Sequence, residues 1–297
     1  VGIELENSNL ITPPGCRGGL TPTNIAGVAG QVENFGSQEM VLQTFYNVHE
    51  GIIAKNSLLE TGYRVASFQN KVGIKLQTST LKVGGCAVDH NQDGGIVANN
   101  SYVNYNKDAI SSFTAGAFYP VNNFTENGQH ILLDASEFVP TYVSGMDTIS
   151  QVFSLQKNHG VTQVGGSKQT LPAVEVNNSS YMLAAATQSF LHDYLTNAGL
   201  YIAGGAVKGS AFRVTNQSNL DLYGHGTVAN TVIGPLIYSK QQKAAALYAG
   251  NNSHISVAGP TTICQTGIDA LAEDNSTVEF GPHQKDGMID ASGWGLE

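Results

Sequence analysis

The chain has 297 residues, of which 34 are glycine, 9 are proline and only 12% are charged. A typical soluble domain carries roughly 25% charged residues; here Asn, Ser, Thr, Gln and Gly take that share beside a 41% hydrophobic fraction. This excludes disorder, which needs low hydrophobicity with high charge, and a long helical bundle, which needs Ala, Glu, Lys, Leu and Arg in bulk. The 14 Lys and Arg against 23 Asp and Glu leave a net charge of -9 with no basic run. Neither a nucleic-acid surface nor membrane insertion is therefore expected. No apolar stretch reaches the roughly 18–20 residues that span a bilayer, and the opening VGIELENSNLIT has no signal-peptide pattern.

In chain order, Gly2-Ile3 leads to Ser8, and Thr12 to Gly19 reads as an excursion between strands. Gly51 to Leu58, Gly73 to Thr80 and Gly95 to Tyr102 then align without gaps, their starts 22 residues apart and 22 again. The shared frame is a small residue, an aliphatic, four variable positions and a serine. It places Ser57, Ser79 and Ser101 at equivalent corners. Ala173-Val174 with Ser179 and Ala270-Leu271 with Ser276 fit the same frame, and one-residue variants run from Phe212 to Ser218 and from Leu247 to Ser253. Alternation such as Ile52/Ala54 and Ile74/Leu76 has the period of a strand. The Asn that precedes Ser supplies turn chemistry, because it tolerates left-handed backbone. A second short strand follows each serine. Helical repeats and leucine-rich repeats lack their marker residues here. A coil of roughly 22 residues with short strands and Asn/Gly turns is one rung of a parallel β-helix.

The chain is expected to form one such domain over 1–297, with an irregular, loop-bearing stretch at about 104–170. Gln188 to Leu195 reads as a short helix or another rung. At most about 13 rungs fit, a rod of roughly 60 Å. The frames Gly51 to Leu58, Gly73 to Thr80, Gly95 to Tyr102, Ala173 to Ser180 and Ala270 to Val278 carry a resemblance to right-handed parallel β-helices. Bacteriophage tail fibres, tailspikes and appendage proteins contain such folds. The rung is also shared by bacterial adhesins and polysaccharide lyases. The resemblance implies an all-β, single-stranded, right-handed solenoid in a trimeric virion rod, touching other virion proteins and possessing contact with a host surface polysaccharide.

Candidate chemistry is sparse. Polysaccharide-cleaving enzymes need two carboxylates flanking one bond, and the nearest pairs are Asp89 with Asp93 and Asp134 with Glu137. Asp221 with His225 is a third pairing, with Gly-His-Gly more simply a turn. Tyr105, Phe118 and Tyr119 belong to an aromatic crowd from Tyr102 to Phe124 that could stack on sugar rings. Cys16, Cys86 and Cys264 have no metal-binding spacing and read as buried thiols; no metal and no cofactor is expected. No nucleophile elbow, P-loop or zincin motif occurs. The Asn-x-Ser/Thr sequons fall mostly on repeat corners, where turn chemistry explains them. The resulting expectation is a structural or receptor-binding virion protein, with a polysaccharide depolymerase and a bacterial surface adhesin as alternatives. The first predicts a location on the virion, the last on the cell surface. Exposed terminal rungs point to a homotrimer or to end-on attachment.

Overall fold

The computed structural model describes residues 1–12, 42–61, 64–105, 122–125, 127–140, 153–156, 161–164, 167–170, 172, 174–185, 193–196, 212–223, 231–234, 245–258, 261–263, 268–281, 284–285, 288–289 and 294–296. Among these there is no helix. Sheet A stacks nine parallel strands: Ile3–Glu6, Glu50–Lys55, Val72–Gln77, Gly94–Asn99, Ile131–Asp134, Val174–Asn177, Phe212–Thr215, Ala245–Gly250 and Ile268–Ala272. Sheet B stacks nine more: Asn9–Thr12, Leu58–Thr61, Thr80–Val83, Tyr102–Tyr105, Glu137–Pro140, Tyr181–Ala185, Asn219–Tyr223, His254–Ala258 and Thr277–Gly281. A third face, sheet C, has a five-strand run from Leu42–Phe45 to Phe153–Gln156 and a four-strand run from Asp193–Thr196 to Trp294–Leu296. The two runs lie side by side where Phe153–Gln156 meets Asp193–Thr196. Each turn of chain thus lays one strand on each face, and each strand pairs in parallel with its counterpart one turn on. This is the topology of a parallel β-solenoid.

Alternation explains the core. Ile3, Ile52, Ile74, Ile96, Ile131, Val174, Phe212, Leu247 and Ala270 form one column in register along sheet A. From Ile52 to Leu247 every member is almost completely buried. Leu59, Leu81, Val103, Phe138, Met182, Leu220 and Ile255 make the matching column on sheet B, all fully buried. Burying each such side chain contributes roughly 1.5–3 kcal/mol. Every rung adds its own share, which is the energetics of a stacked repeat.

The corner between sheets A and B holds a continuous serine ladder. The N–H of Ser8 donates to Ser57 Oγ at 3.1 Å, and Ser57 to Ser79 and Ser79 to Ser101 repeat the link, each at 3.1 Å across 22 residues. Ser101 then donates to Ser136, Ser136 to Ser180, Ser180 to Ser218, Ser218 to Ser253 and Ser253 to Ser276. The steps grow to 35, 44, 38 and 35 residues before returning to 23. Corner geometry changes once. A single left-handed residue precedes the serine in the first five rungs: Asn7, Asn56, Thr78, Asn100 and Ala135. Two do so in the last four, as Asn178/Ser179, Asn216/Gln217, Asn251/Asn252 and Asp274/Asn275. The added residue moves the ladder from the expected Ser179 to Ser180; Ser179 itself is exposed and left-handed at φ 60. Asn is frequent because L residues elsewhere resist this region by roughly 1–2 kcal/mol.

Ser101→Ala should therefore lower stability by about 1–2 kcal/mol in urea unfolding, since Ser79 N–H loses its buried acceptor. Ser179→Ala should change it by less than about 0.5 kcal/mol. Equal effects would mean that the ladder carries no particular stability.

A second ladder runs beneath the turn from sheet C to sheet A. Asn47 N–H donates to Asn70 Oδ1 at 2.9 Å, Asn70 N–H to Asn91 Oδ1 at 3.0 Å and Asn91 N–H to Asn127 Oδ1 at 3.0 Å. Asn70, Asn91 and Asn127 are buried. These amides press on the glycine that opens each early frame. A Cβ on Gly73 would meet Gly95 O at 2.7 Å and Asn91 Nδ2 at 2.9 Å; one on Gly95 would meet His130 O at 2.5 Å. In the fifth rung His130 occupies the glycine's place. It is fully buried, accepts from Asn127 Nδ2 through Nδ1 at 3.2 Å and packs on Phe124, ending the ladder.

Within the stretch expected to be irregular, Asn122–Thr125, Ile131–Asp134, Glu137–Pro140 and Phe153–Gln156 pair in register with neighbouring rungs. Two features differ from the sequence expectation. The frame at 270 is shifted by one: Ala270, not Leu271, sits in the core column opposite Leu247. Two small antiparallel hairpins, Val161–Val164 with Ser167–Thr170 and Gln284–Lys285 with Met288–Ile289, interrupt the parallel pattern. The long connections 13–41, 106–121 and 141–152 all join sheet B to sheet C, and the corner with the serine ladder is never lengthened in this way.

Candidate functional site

The residue directly after each ladder serine begins a sheet B strand with its side chain outward. Tyr102, Glu137, Tyr181, Asn219, His254 and Thr277 occupy that position on six consecutive rungs. Two residues further, Leu183, Asp221, Ser256 and Glu279 form the next outward file. Strand spacing sets these side chains about 4.8 Å apart from rung to rung, close enough for cross-strand contact.

Tyr181 is the centre of the group. Its phenol donates to Asp221 Oδ2 at 2.8 Å. Burial first, then that hydrogen bond and the charges of Asp221 and Glu137, push its pKa well above the ordinary tyrosine value. This favours the protonated phenol, the form that donates to Asp221. One rung before Glu137, Asn104 Nδ2 donates to Tyr102 Oη at 3.2 Å. Two rungs beyond Tyr181, His254 Nε2 stands 3.9 Å from Glu279 Oε2. The face thus alternates aromatic rings with carboxylates and amides. Such a surface can stack on apolar ring faces and bond to hydroxyl groups at the same time.

The other predicted residues go elsewhere. Asp134 accepts from Asn99 Nδ2 at 2.7 Å through Oδ2 and from Asn178 Nδ2 through Oδ1, so it is a link between adjacent corners. Asp89 Oδ1 lies 2.6 Å from His90 Nδ1, and Asp93 Oδ2 lies 3.8 Å from Lys71 Nζ. Both sit at the turn from sheet C to sheet A, away from sheet B. Tyr105 is a correction: it is only 1% exposed, packs on Phe138 at 5.6 Å and donates to Leu183 O at 3.2 Å. Inward alternation along Tyr102–Tyr105 puts it in the core, beyond reach of a ligand. Phe118, Tyr119 and His225, with Cys16 and Cys264, lie outside the described residues; Cys86 is buried in the core. Ser57, Ser79, Ser101 and Ser276 lie on the serine ladder and serve the corner. Among the described residues, no three His, Cys, Asp or Glu side chains are grouped to hold a metal ion.

Tyr181 and its place beside Glu137 were missed in the sequence. Aligning the chain on Ser101, Ser136 and Ser180 brings Tyr102, Glu137 and Tyr181 into one file, whereas the frame through Ser179 does not. A smaller group lies on sheet A, where Arg213 stands 5.8 Å over the Tyr248 ring and Tyr248 Oη donates to Glu273 Oε2 at 3.1 Å.

Comparisons with protein-family models, with curated proteins and with solved structures each found no match to the chain.

Proposed function

We propose that the chain is a structural, receptor-binding rod of the kind used in bacteriophage tail fibres and spikes, and that it contacts a host surface glycan through the outer face of sheet B. The coil is taken as right-handed with a unit rung of about 22 residues, since parallel crossovers are right-handed in about 98% of cases. Lateral assembly as a homotrimer on the virion exterior belongs to the same reading.

The observation that carries it is the file Tyr102, Glu137, Tyr181 with Asp221 bonded to Tyr181. The serine ladder runs beside every rung of this file and holds it in place, so little ordering entropy is lost when a repeating polymer binds along it. Cleavage fits less well. Glu137 and Asp221 are two rungs and two residues apart, about 12 Å between backbones by strand spacing and rise, wider than the roughly 5–5.5 Å of a retaining pair and the roughly 6.5–9.5 Å of an inverting one.

The test uses the full chain with host capsule or lipopolysaccharide. Wild type should bind without releasing reducing ends. Tyr181→Phe and Glu137→Gln should each weaken binding about 5-fold or more while leaving the thermal midpoint nearly unchanged. Release of oligosaccharides would establish the depolymerase reading instead. Unaltered binding in both variants would remove sheet B from consideration.

A further inference from the structure

The outward file that opens the sheet B strands has a period of two rungs. From the fourth rung to the ninth it reads Tyr102, Glu137, Tyr181, Asn219, His254 and Thr277. Planar rings therefore stand on the fourth, sixth and eighth rungs, with hydrogen-bonding side chains between them. In the first three rungs Asn9, Leu58 and Thr80 hold the same place, and none of them carries a ring.

The three rings are also held alike. Each has its polar end beside a residue of the second outward file, two positions along the strand direction. Tyr102 Oη accepts from Asn104 Nδ2 at 3.2 Å, Tyr181 Oη donates to Asp221 Oδ2 at 2.8 Å, and His254 Nε2 stands 3.9 Å from Glu279 Oε2. Asn104 is on the same strand as Tyr102, whereas Asp221 and Glu279 lie one rung beyond their rings. All three rings thus lean the same way across the sheet. They are half-buried, while Glu137, Asn219 and Thr277 between them are exposed.

Adjacent rungs are about 4.8 Å apart, so ring follows ring at about 10 Å. A pyranose linked through equatorial oxygens at opposite ends of its ring advances an extended chain by close to one rung spacing. Each such link also turns the next sugar over, so the same ring face returns at every second sugar. A chain with axial links coils instead and keeps no such step.

We propose that the sheet B face takes an extended, equatorially linked pyranose chain, laid along the rod with one sugar per rung. The inference rests on the glycan reading and names the class of polymer. Alternate sugars stack on Tyr102, Tyr181 and His254. The sugars between them give hydroxyl protons to Glu137 and exchange hydrogen bonds with Asn219. Three or four sugars reach two rings, and the fifth reaches the third ring.

Calorimetric titration of the full chain with cellulose-, chitin- and mannan-derived oligosaccharides tests this, with maltohexaose as the coiled control. At least one extended series should bind, its hexamer about 10-fold or more tighter than maltohexaose. Within that series the fifth sugar should raise affinity about 5-fold, and the fourth much less. Tyr102→Ala should abolish the gain from the fifth sugar, and Tyr102→Phe, which keeps the ring, should retain it. An even gain for each added sugar, a fifth-sugar gain that survives Tyr102→Ala, or equal binding of maltohexaose would overturn the proposal. Binding of host capsule or lipopolysaccharide with no extended series bound would overturn it and leave the glycan reading standing. No binding of any polysaccharide would end both.

Discussion

Asn91→Leu is expected to destabilise the chain by about 4 kcal/mol, the largest effect of any single polar substitution among the described residues. Asn91 is fully buried and makes four side-chain links. Its Oδ1 accepts from Asn70 N–H at 3.0 Å and from Asn70 Nδ2 at 3.2 Å. Its Nδ2 donates to Ser67 O at 3.0 Å and Asn127 Oδ1 at 2.9 Å. Leucine has a similar volume, so no large cavity opens. It leaves Asn70 N–H, Ser67 O and Asn127 Oδ1 with reduced bonding in the interior, at roughly 1–3 kcal/mol for each group that finds no substitute. Asn91→Asp keeps the shape but sets a carboxylate against Ser67 O and Asn127 Oδ1, and should be at least as harmful near neutral pH. Urea unfolding with an unchanged slope measures both. A loss below about 1 kcal/mol would show that the asparagine ladder is dispensable.

Gly51→Ala should cost about 3 kcal/mol, at the upper end of overpacking effects. An added Cβ would press on Ser67 Oγ, Thr44 Oγ1 at 2.5 Å and Asn70 Nδ2 at 2.7 Å. Those groups cannot retreat without breaking their own bonds, since Thr44 Oγ1 donates to Ser67 Oγ at 3.1 Å and Asn70 Nδ2 to Ser67 Oγ at 2.9 Å. Gly281→Ala is the control: nothing lies within 4 Å of its added Cβ. Its unfolding midpoint should hardly move. Similar losses at both positions would point to backbone freedom, rather than crowding, as the reason for glycine.

This glycine also explains how far the fold could be read from the chain alone. Gly51, Gly73 and Gly95 stand out because the asparagine ladder and the next rung crowd them. Where that ladder ends, the constraint ends. The fifth rung reads His130-Ile131 and the later ones have Ala173, Ala211 and Ala246 in front of the aliphatic. The repeat therefore faded after Ser101, although strands continued in register. Corner length compounded this. One added left-handed residue moves the serine from the fifth to the sixth position after the core aliphatic, so the frame points to Ser179 where the ladder uses Ser180; Ser136 keeps the fifth position but escapes the frame because His130 stands where the frame has a small residue. The parallel all-β character was legible because alternation and Asn-Ser turns are local. The outer file on sheet B was not. Tyr102, Glu137, Tyr181 and Asp221 are separated by connections of unequal length, so only the register unites them.

That register is what the functional account depends on, and paired cysteines test it most directly. Glu137 and Tyr181 are partners on adjacent strands, 44 residues apart in sequence, and Tyr181 is in turn the partner of Asn219. Adjacent parallel strands put Cα atoms about 4.8 Å apart, inside the roughly 4.4–6.8 Å range of a disulfide. Oxidation of Glu137→Cys/Tyr181→Cys, mapped by peptide mass, should close that bridge. Glu137→Cys/Asn219→Cys, about 10 Å apart across two rungs, should stay open. Closure of the second pair, or failure of the first in a chain that still unfolds cooperatively, would contradict the stacking that assembles the sheet B face.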